Sequence, residues 1–349
     1  MELRTMKCNF LENHINIATT GHYRLCCIST ESIGKETVDS HTPQQWLNSA
    51  AVTIAKNQLA QNEWPDACRK CKEEEENGID SRRLHRDHYG PGISHLDLRL
   101  GNGCNLKCIS CNQYSSSSIA QEVIDMNSQG IIPLYTSTPA PLHNWYDERF
   151  FSYFENLPLK EIYLAGGEPM MVKHLPQFLE RIDRRVRIRF STNGTIYNTQ
   201  ISNLLKEFDS VIMTLSVDSI GKRAEYIRHG TEWKIVEENA LRYSEFCKVD
   251  VSPTISILNA TYYHEIVEWC SKYHFKIYEN LLMLPEWLHI KNAPDSLKKQ
   301  FTIADNWANQ TVDYYQQEQF VNNISKLDKF RNMYIKDYLP EVAEAYGLT

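Results

Sequence analysis

The sequence lacks a segment that could cross a membrane, and it lacks an excess of positive charge. Its longest apolar runs, such as Leu281–Leu284, are far shorter than the roughly 20 residues that a membrane-spanning helix needs. Acidic side chains outnumber basic ones by 44 to 37, so no global attraction to nucleic acid is expected. No basic-then-apolar signal segment opens the sequence, and we therefore expect a cytoplasmic protein.

The sequence also lacks internal repeats and the composition of a disordered chain. Hydrophobic residues make up 42% of its 349 residues, enough to form the core of one large domain or two ordinary ones. Cysteine, by contrast, is abundant. The ten cysteines are Cys8, Cys26, Cys27, Cys68, Cys71, Cys104, Cys108, Cys111, Cys247 and Cys270. In a reducing compartment, closely spaced cysteines indicate metal binding more often than disulfides.

From residue 94 onward, short apolar runs alternate with amphipathic stretches. The predicted strands are Leu96–Leu100, Glu161–Ala165, Val186–Ser191, Val211–Val217, Val249–Ile255 and Phe275–Tyr278. The predicted helices between them are Leu175–Arg184, Ile196–Phe208, Trp233–Phe246 and Tyr262–Tyr273. This alternation predicts an α/β fold whose parallel sheet curls into a partial barrel, with its site at the carboxyl ends of the strands.

Two segments stand outside the alternation. Residues 1–93 contain the early cysteines and one helical pattern, Pro43–Gln58, and we predict a small hairpin-helix domain there. The barrel is predicted over residues 94–290, and residues 291–349 are predicted to form a helical C-terminal extension.

Cys104, Cys108 and Cys111 follow the first predicted barrel strand. Their spacing lets one short loop wrap three thiolates round one face of a four-iron cluster, which leaves one iron open to a ligand. Thiolates also bind zinc, so spacing alone leaves zinc as an alternative, with a fourth ligand such as His95.

This C-x3-C-x2-C pattern resembles the signature of the radical S-adenosylmethionine (SAM) superfamily. The resemblance implies that the three cysteines hold a catalytic 4Fe–4S cluster and that SAM binds its open iron. Reductive cleavage of SAM then gives a 5′-deoxyadenosyl radical. Ser110 departs from the family pattern, which usually has an aromatic residue there, and this departure affects the expected adenine contacts.

Further motifs follow the next three predicted strands. Gly166-Gly167-Glu168-Pro169 follows the second strand, and two glycines permit a turn that a ligand can approach closely. The resemblance implies that this motif holds the SAM amino group. It also implies that Ser191 and Asn193, at the end of the third strand, bind the ribose.

Ser216 ends the fourth predicted strand, and Arg228 follows a short distance later. An arginine can pair with a carboxylate through two parallel hydrogen bonds, and the resemblance implies that Ser216 and Arg228 bind the SAM carboxylate. A simpler interpretation makes Ser216 or Asp218 a helix cap and Arg228 a surface residue.

The early cysteines suggest a second, closed site. Cys8 and Cys26 flank Gly21 with the spacing of a hairpin, and Cys68 and Cys71 form a C-x2-C pair. Four such thiolates also suit zinc. The pattern resembles the twitch domain, a shortened SPASM domain that holds an auxiliary 4Fe–4S cluster, although here it precedes the barrel. Cys27 is an alternative ligand to Cys26. Only one of the two is expected to bind the metal, because adjacent strand residues point to opposite faces.

The resemblance implies an oxidoreductase or maturase-type enzyme that abstracts hydrogen from a peptide or a small molecule. The auxiliary cluster is expected to assist electron transfer, and flavodoxin or ferredoxin to supply electrons. Neither a membrane nor nucleic acid is an expected partner. The alternative is a non-enzymatic interaction protein that zinc stabilises at two cysteine sites.

Overall fold

The computed structural model describes residues 6–29, 35–76, 78, 80–84, 92–134, 140–142, 145–146, 148–303, 308 and 310–348. The chain divides into two compact units. The first comprises Met1–Gly103, Leu142–Phe190 and Asn198–Val211. The second comprises Cys104–Pro141, Ser191–Tyr197 and Ile212–Thr349.

The described residues form twelve strands. They are β1 (His14–Ile17), β2 (Tyr23–Arg24), β3 (His95–Arg99), β4 (Lys107–Cys108), β5 (Glu161–Ala165), β6 (Arg187–Thr192), β7 (Val211–Leu215), β8 (Arg228–His229), β9 (Lys248–Val251), β10 (Thr254–Ile255), β11 (Lys276–Ile277) and β12 (Asn280–Leu281). Eight of them belong to one sheet, and the two pairs β4–β8 and β10–β12 are separate.

The described residues also form fourteen α-helices. They are α1 (Phe10–Asn13), α2 (Pro43–Leu47), α3 (Ala50–Ala60), α4 (Arg69–Glu76), α5 (Ser117–Ser128), α6 (Glu148–Ser152), α7 (Leu175–Glu180), α8 (Thr199–Leu205), α9 (Gly221–Ile227), α10 (Trp233–Ser244), α11 (Tyr263–Tyr273), α12 (Asp295–Lys298), α13 (Tyr314–Arg331) and α14 (Pro340–Ala345). None of these is both long and apolar enough to cross a membrane.

The sheet follows the parallel order expected of alternating strands and helices. In the first unit the strand order is β6-β5-β3-β1-β2, and only the β1–β2 pair is antiparallel. In the second unit the order is β11-β9-β7, and these pairs are parallel. The predicted α/β fold with a parallel sheet is therefore confirmed.

Alternation along the strands gives the sheet of the first unit one apolar face. Leu98, Leu164 and Phe190 are register partners on β3, β5 and β6, and each is at most 1% exposed. Their neighbours Asp97, Tyr163 and Arg189 point to the opposite face, because successive strand side chains alternate. The sheet thus has one hydrophobic face and one polar face in this unit.

The N-terminal hairpin belongs to this sheet. Its strands β1 and β2 are antiparallel, and Gly21 adopts a left-handed φ of +80° between them. Strand β1 also pairs in parallel with β3, and Ile15 is the register partner of Leu96. The hairpin that the early cysteines predict is present, and it extends the barrel sheet by two strands.

The C-terminal residues pack as helices in the second unit, as predicted. Phe320 and Ile324 of α13 are fully buried beside Val342 of α14. The Phe320 ring also stacks on Tyr346, with the ring centroids 4.1 Å apart. These contacts place the C-terminal helices in a hydrophobic core of this unit that also contains Tyr226 and Ile257.

Candidate active site

Three cysteines share one loop of the second unit. Cys108 ends β4, and the amide of Cys111 donates to the Cys108 carbonyl at 3.1 Å. Both backbone groups of Cys104 bond to Ser117 at the start of α5: its amide donates to the hydroxyl at 3.0 Å, and its carbonyl accepts at 3.1 Å. Hydrogen bonds of the backbone therefore hold the loop in place without a metal.

The thiols of this loop lie close enough for their charges to interact. Burial, followed by the neighbouring cysteines, raises the pKa of Cys111 to about 12. Burial also raises the pKa of Cys108 to about 11, against the opposing effect of Arg228. A bound metal is needed to keep such thiols ionised at neutral pH, and an all-thiol donor set is the one that iron–sulfur clusters use.

Arg228 lies directly opposite Cys108, because β4 and β8 pair with these two residues in register. Its Nη1 donates to Asp218 Oδ2 at 2.8 Å, and both side chains are largely buried. The Nε of Arg228 is buried and has no hydrogen-bond partner among the residues that the structure describes. Helix α9 begins after Ile220 without a side-chain cap, so the simpler interpretation of a capping Asp218 and a surface Arg228 is wrong.

Asn193 connects the end of β6 to the cysteine loop within the second unit. Its amide donates to Asn105 Oδ1 at 3.0 Å and lies 3.9 Å from Cys104 Sγ. Asn105 in turn donates to Thr195 Oγ1 at 2.9 Å. Ser191 is half-buried and is the second-last residue of β6. Asn105 and Thr195 have no sequence signal of their own, because their contacts form only where the two loops meet.

Ser216 follows β7 in the same unit and is half-buried. Its amide donates to the carbonyl of Thr192 at 2.9 Å. Asp218, two residues later, accepts from the Thr254 amide at 2.8 Å as well as from Arg228. Asp218 therefore orients Arg228, a role that no local sequence pattern indicates because its other partner, Thr254, lies 36 positions along the chain.

The glycine pair of the first unit lies against the loop that leads to the cysteines. Gly167 donates to the Gly101 carbonyl at 3.0 Å, and Glu168 donates to the Gly103 carbonyl at 2.7 Å. A Cβ on Gly167 would lie 2.2 Å from the Gly103 oxygen. The two glycines are therefore required by backbone contact, whatever ligand the turn binds.

Glu168 and Pro169 complete this turn. Glu168 is 1% exposed, and its carboxylate accepts from the Met170 amide at 3.0 Å. It thereby caps the short 3-10 helix that Pro169 begins.

The early cysteines converge in the first unit. Cys8, Cys26, Cys68 and Cys71 line one apolar pocket, and Cys27 is absent from its lining. Burial raises the pKa of Cys8 to about 11 and that of Cys68 to about 12. Across the described residues, no group of three His, Cys, Asp or Glu side chains has the arrangement of a single-ion site.

Two residues outside these groups, His95 and Cys270, have clear positions. His95, the suggested fourth zinc ligand, begins β3, and its Nδ1 lies 2.9 Å from the Ser94 hydroxyl. It stands four residues, or about 13 Å of strand, before the end that leads to the cysteines. Cys270 is 1% exposed on α11, as expected of a core cysteine.

Comparison with known proteins gives one family match and several distant relatives. A family model described as the radical SAM superfamily matches residues 98–272, just over half of the chain. The probable GTP 3′,8-cyclase of Archaeoglobus fulgidus is 21% identical over 169 residues, which cover 48% of this chain and 49% of that protein. The probable GTP 3′,8-cyclase of Methanocaldococcus jannaschii is 26% identical over 137 residues, with 39% and 40% covered.

The chain spans about half the length of the curated relatives it matches, or less. Among solved structures, native anSMEcpe with bound AdoMet is 14% identical, with a TM-score of 0.44. That match covers 71% of this chain and 62% of the other.

Proposed function

The chain belongs to the radical SAM superfamily, and from this premise we propose that it reductively cleaves SAM and abstracts hydrogen from a substrate. The observation that carries the proposal is the loop of Cys104, Cys108 and Cys111, with the buried Arg228 opposite it. Three thiols on one loop suit a cluster with one open iron.

Each proposed role belongs to a described residue. Cys104, Cys108 and Cys111 ligate the 4Fe–4S cluster, which when bound supplies the electron that cleaves SAM into methionine and a 5′-deoxyadenosyl radical. Arg228 offers its unpaired Nε to the SAM carboxylate, while Asp218 keeps the guanidinium oriented. We assign Ser216 to the same carboxylate.

The remaining SAM contacts come from the two strand-end motifs. Ser191 and Asn193 are proposed for the ribose hydroxyls, since small polar groups at a strand end can hydrogen-bond to them. The backbone of Gly166-Gly167-Glu168-Pro169 is proposed for the SAM amino group. Its position is supported by the hydrogen bonds that tie it to residues 101–103.

We also propose that Cys8, Cys26, Cys68 and Cys71 hold an auxiliary 4Fe–4S cluster in a twitch-like module of residues 1–93. The shared pocket supports this ligand set, and it favours Cys26 over Cys27. Cys68 and Cys71 lie at the start of α4, where the helix dipole favours negative charge. We propose that this cluster assists electron transfer and that flavodoxin or ferredoxin supplies the electrons.

The proposed substrate is a peptide or a small molecule. The similarity to probable GTP 3′,8-cyclases adds GTP to the molecules to be tested. Residues 94–290 and 291–349 are proposed as the barrel and its helical extension, and the cytoplasm as the location.

Anaerobic reconstitution tests the central proposal. The protein is loaded with iron and sulfide and supplied with dithionite and SAM, and 5′-deoxyadenosine is measured. We expect 5′-deoxyadenosine from the unaltered protein and from Cys270→Ala, whose thiol is buried on α11, and none from Cys104→Ala. Absence of 5′-deoxyadenosine from the fully loaded protein would contradict the proposal, and two zinc ions without iron would favour the interaction protein.

A pair of neighbouring variants tests the auxiliary site. We expect Cys26→Ser to lower the iron content from about eight to about four atoms per chain, since a four-iron cluster is lost. Cys27→Ser should keep the full iron content. Equal iron contents in the two variants would exclude the assigned ligand set.

A further inference from the structure

A row of polar side chains crosses the polar face of the sheet in the first unit. Strand register places Arg24, Asn16, Asp97, Tyr163 and Arg189 side by side on five neighbouring strands. We refer to these five residues as the polar row. Adjacent strands are about 4.8 Å apart, so neighbouring members of the row are within reach of one bound group.

Positive charge exceeds negative charge around the polar row. Arg99, two residues beyond Asp97, donates to the Asp97 carboxylate at 3.1 Å and interacts repulsively with Arg24. Arg189 lies 3.9 Å from Glu161, which is its one ion-pair partner among the described residues. Arg24 donates to the Ser29 carbonyl, and among the described residues it has no ion pair with a carboxylate. The three guanidinium groups of Arg24, Arg99 and Arg189 therefore face two carboxylates, those of Asp97 and Glu161.

The same row contains buried donors without partners. Asn16 is 1% exposed, and its Nδ2 has no hydrogen-bond partner in the described part of the chain. The Nε atoms of Arg24 and Arg189 are also buried, and no described residue accepts a hydrogen bond from them. Buried polar groups are nearly always paired, so three unpaired donors on one sheet face indicate a bound acceptor.

Tyr163, between Asp97 and Arg189 in the row, contacts two of the guanidinium groups. Arg99 and Arg189 lie over its ring at 5.6 and 5.7 Å from the centroid. Arg99 already donates from its Nε to Asp97, so Arg189 is the one of the two whose Nε is left for a ligand. Planar N–H edges match the oxygens of carboxylates and phosphates.

We propose that the polar row binds a carboxylate or phosphate group of the substrate. The identification of the bound anion as a substrate rests on the proposed function. Tyr163 stands three residues, or about 10 Å of strand, before Gly166, where the proposed SAM motif begins. A substrate whose anionic group binds the polar row therefore has the size of a small metabolite, or of one peptide residue with an acidic group.

Anion binding by the reconstituted protein tests the proposal without any catalytic step. Inorganic phosphate and succinate are titrated separately by calorimetry, against sodium chloride at equal ionic strength. We expect saturable binding of at least one probe, weakened tenfold or more in Arg24→Gln and in Arg189→Gln. The probe that binds more tightly distinguishes a phosphate group from a carboxylate.

Arg181→Gln is the matched control, because it removes the same charge from the first unit at a residue that pairs with Glu155 at 2.9 Å. It should bind both probes like the unaltered protein. Binding no tighter than that of chloride, or equal weakening in all three variants, would overturn the proposal. If Arg24→Gln does not fold, Arg189→Gln still decides the question, since that side chain is 37% exposed.

The two proposals fail in different ways. Anion binding needs neither SAM nor dithionite, so a row that binds phosphate or succinate in a protein that makes no 5′-deoxyadenosine would contradict only the radical chemistry. A protein that makes 5′-deoxyadenosine but shows no specific anion binding would contradict only the assignment of the row.

Discussion

Gly167→Ala should destabilise the protein because the contact between two backbone segments leaves no room for a methyl group. The added Cβ would lie 2.2 Å from the Gly103 oxygen and 2.6 Å from the Gly103 carbonyl carbon. Both atoms belong to backbone, which cannot turn aside as a flexible side chain can. One segment has to move by about 1 Å to restore an ordinary contact.

The displacement breaks hydrogen bonds as well as packing. The bonds at risk are Gly167 to Gly101 at 3.0 Å and Glu168 to Gly103 at 2.7 Å. Each is worth about 1 kcal/mol net, and overpacking adds about 1–3 kcal/mol. We therefore expect Gly167→Ala to lower the free energy of unfolding by roughly 3–5 kcal/mol.

Gly103→Ala provides the control from the other side of the same contact. A Cβ on Gly103 would meet no atom within 4 Å, so we expect a change within about 0.5 kcal/mol. Urea unfolding followed by circular dichroism measures both variants against the unaltered protein. Equal stability of Gly167→Ala and Gly103→Ala would refute the close-contact explanation of the glycine pair.

Two further predictions concern buried charge in the second unit. Glu122→Gln should lower the free energy of unfolding by about 3–5 kcal/mol, because Arg331 donates to both Glu122 oxygens at 3.0 and 2.7 Å and both side chains are about 5% exposed. Urea unfolding measures this change. An effect no larger than that of Asp183→Asn, at an exposed ion pair, would contradict the prediction. Burial and then Lys291 lower the pKa of His289 to about 4, so stability should fall as the pH drops from about 6.5 towards 4, by up to about 3 kcal/mol. His289→Gln should flatten that part of the stability profile of the metal-free protein, and an unchanged profile would contradict the prediction.

The sequence predicts the barrel strands well because each is a short apolar run between clear breaks. Glu161–Ala165 is predicted residue for residue. Val249–Ile255 divides into two strands around Pro253, whose nitrogen cannot donate to a ladder. The predicted helix Pro43–Gln58 divides as well, because Ser49 accepts from the Val52 amide and begins a new helix.

Long-range pairing is what the sequence could not provide. The register of His14 with His95 joins residues 81 positions apart, and no local pattern indicates it. Likewise, the motif at Asn193 is readable from the chain, but its bond to Asn105 needs two loops to be brought together. The residue types of the site are therefore predictable, while their partners depend on the tertiary fold.

The pairing of β1 with β3 has a consequence for shortened versions of this protein. Removing the N-terminal hairpin would leave the amide and carbonyl groups of β3 on that side without partners. An exposed edge of a parallel sheet is a template for aggregation, whereas the two-residue β2 is a poor one because it is so short. We expect a protein that begins at residue 94 to self-associate through β3, so the early segment protects the barrel from its own copies.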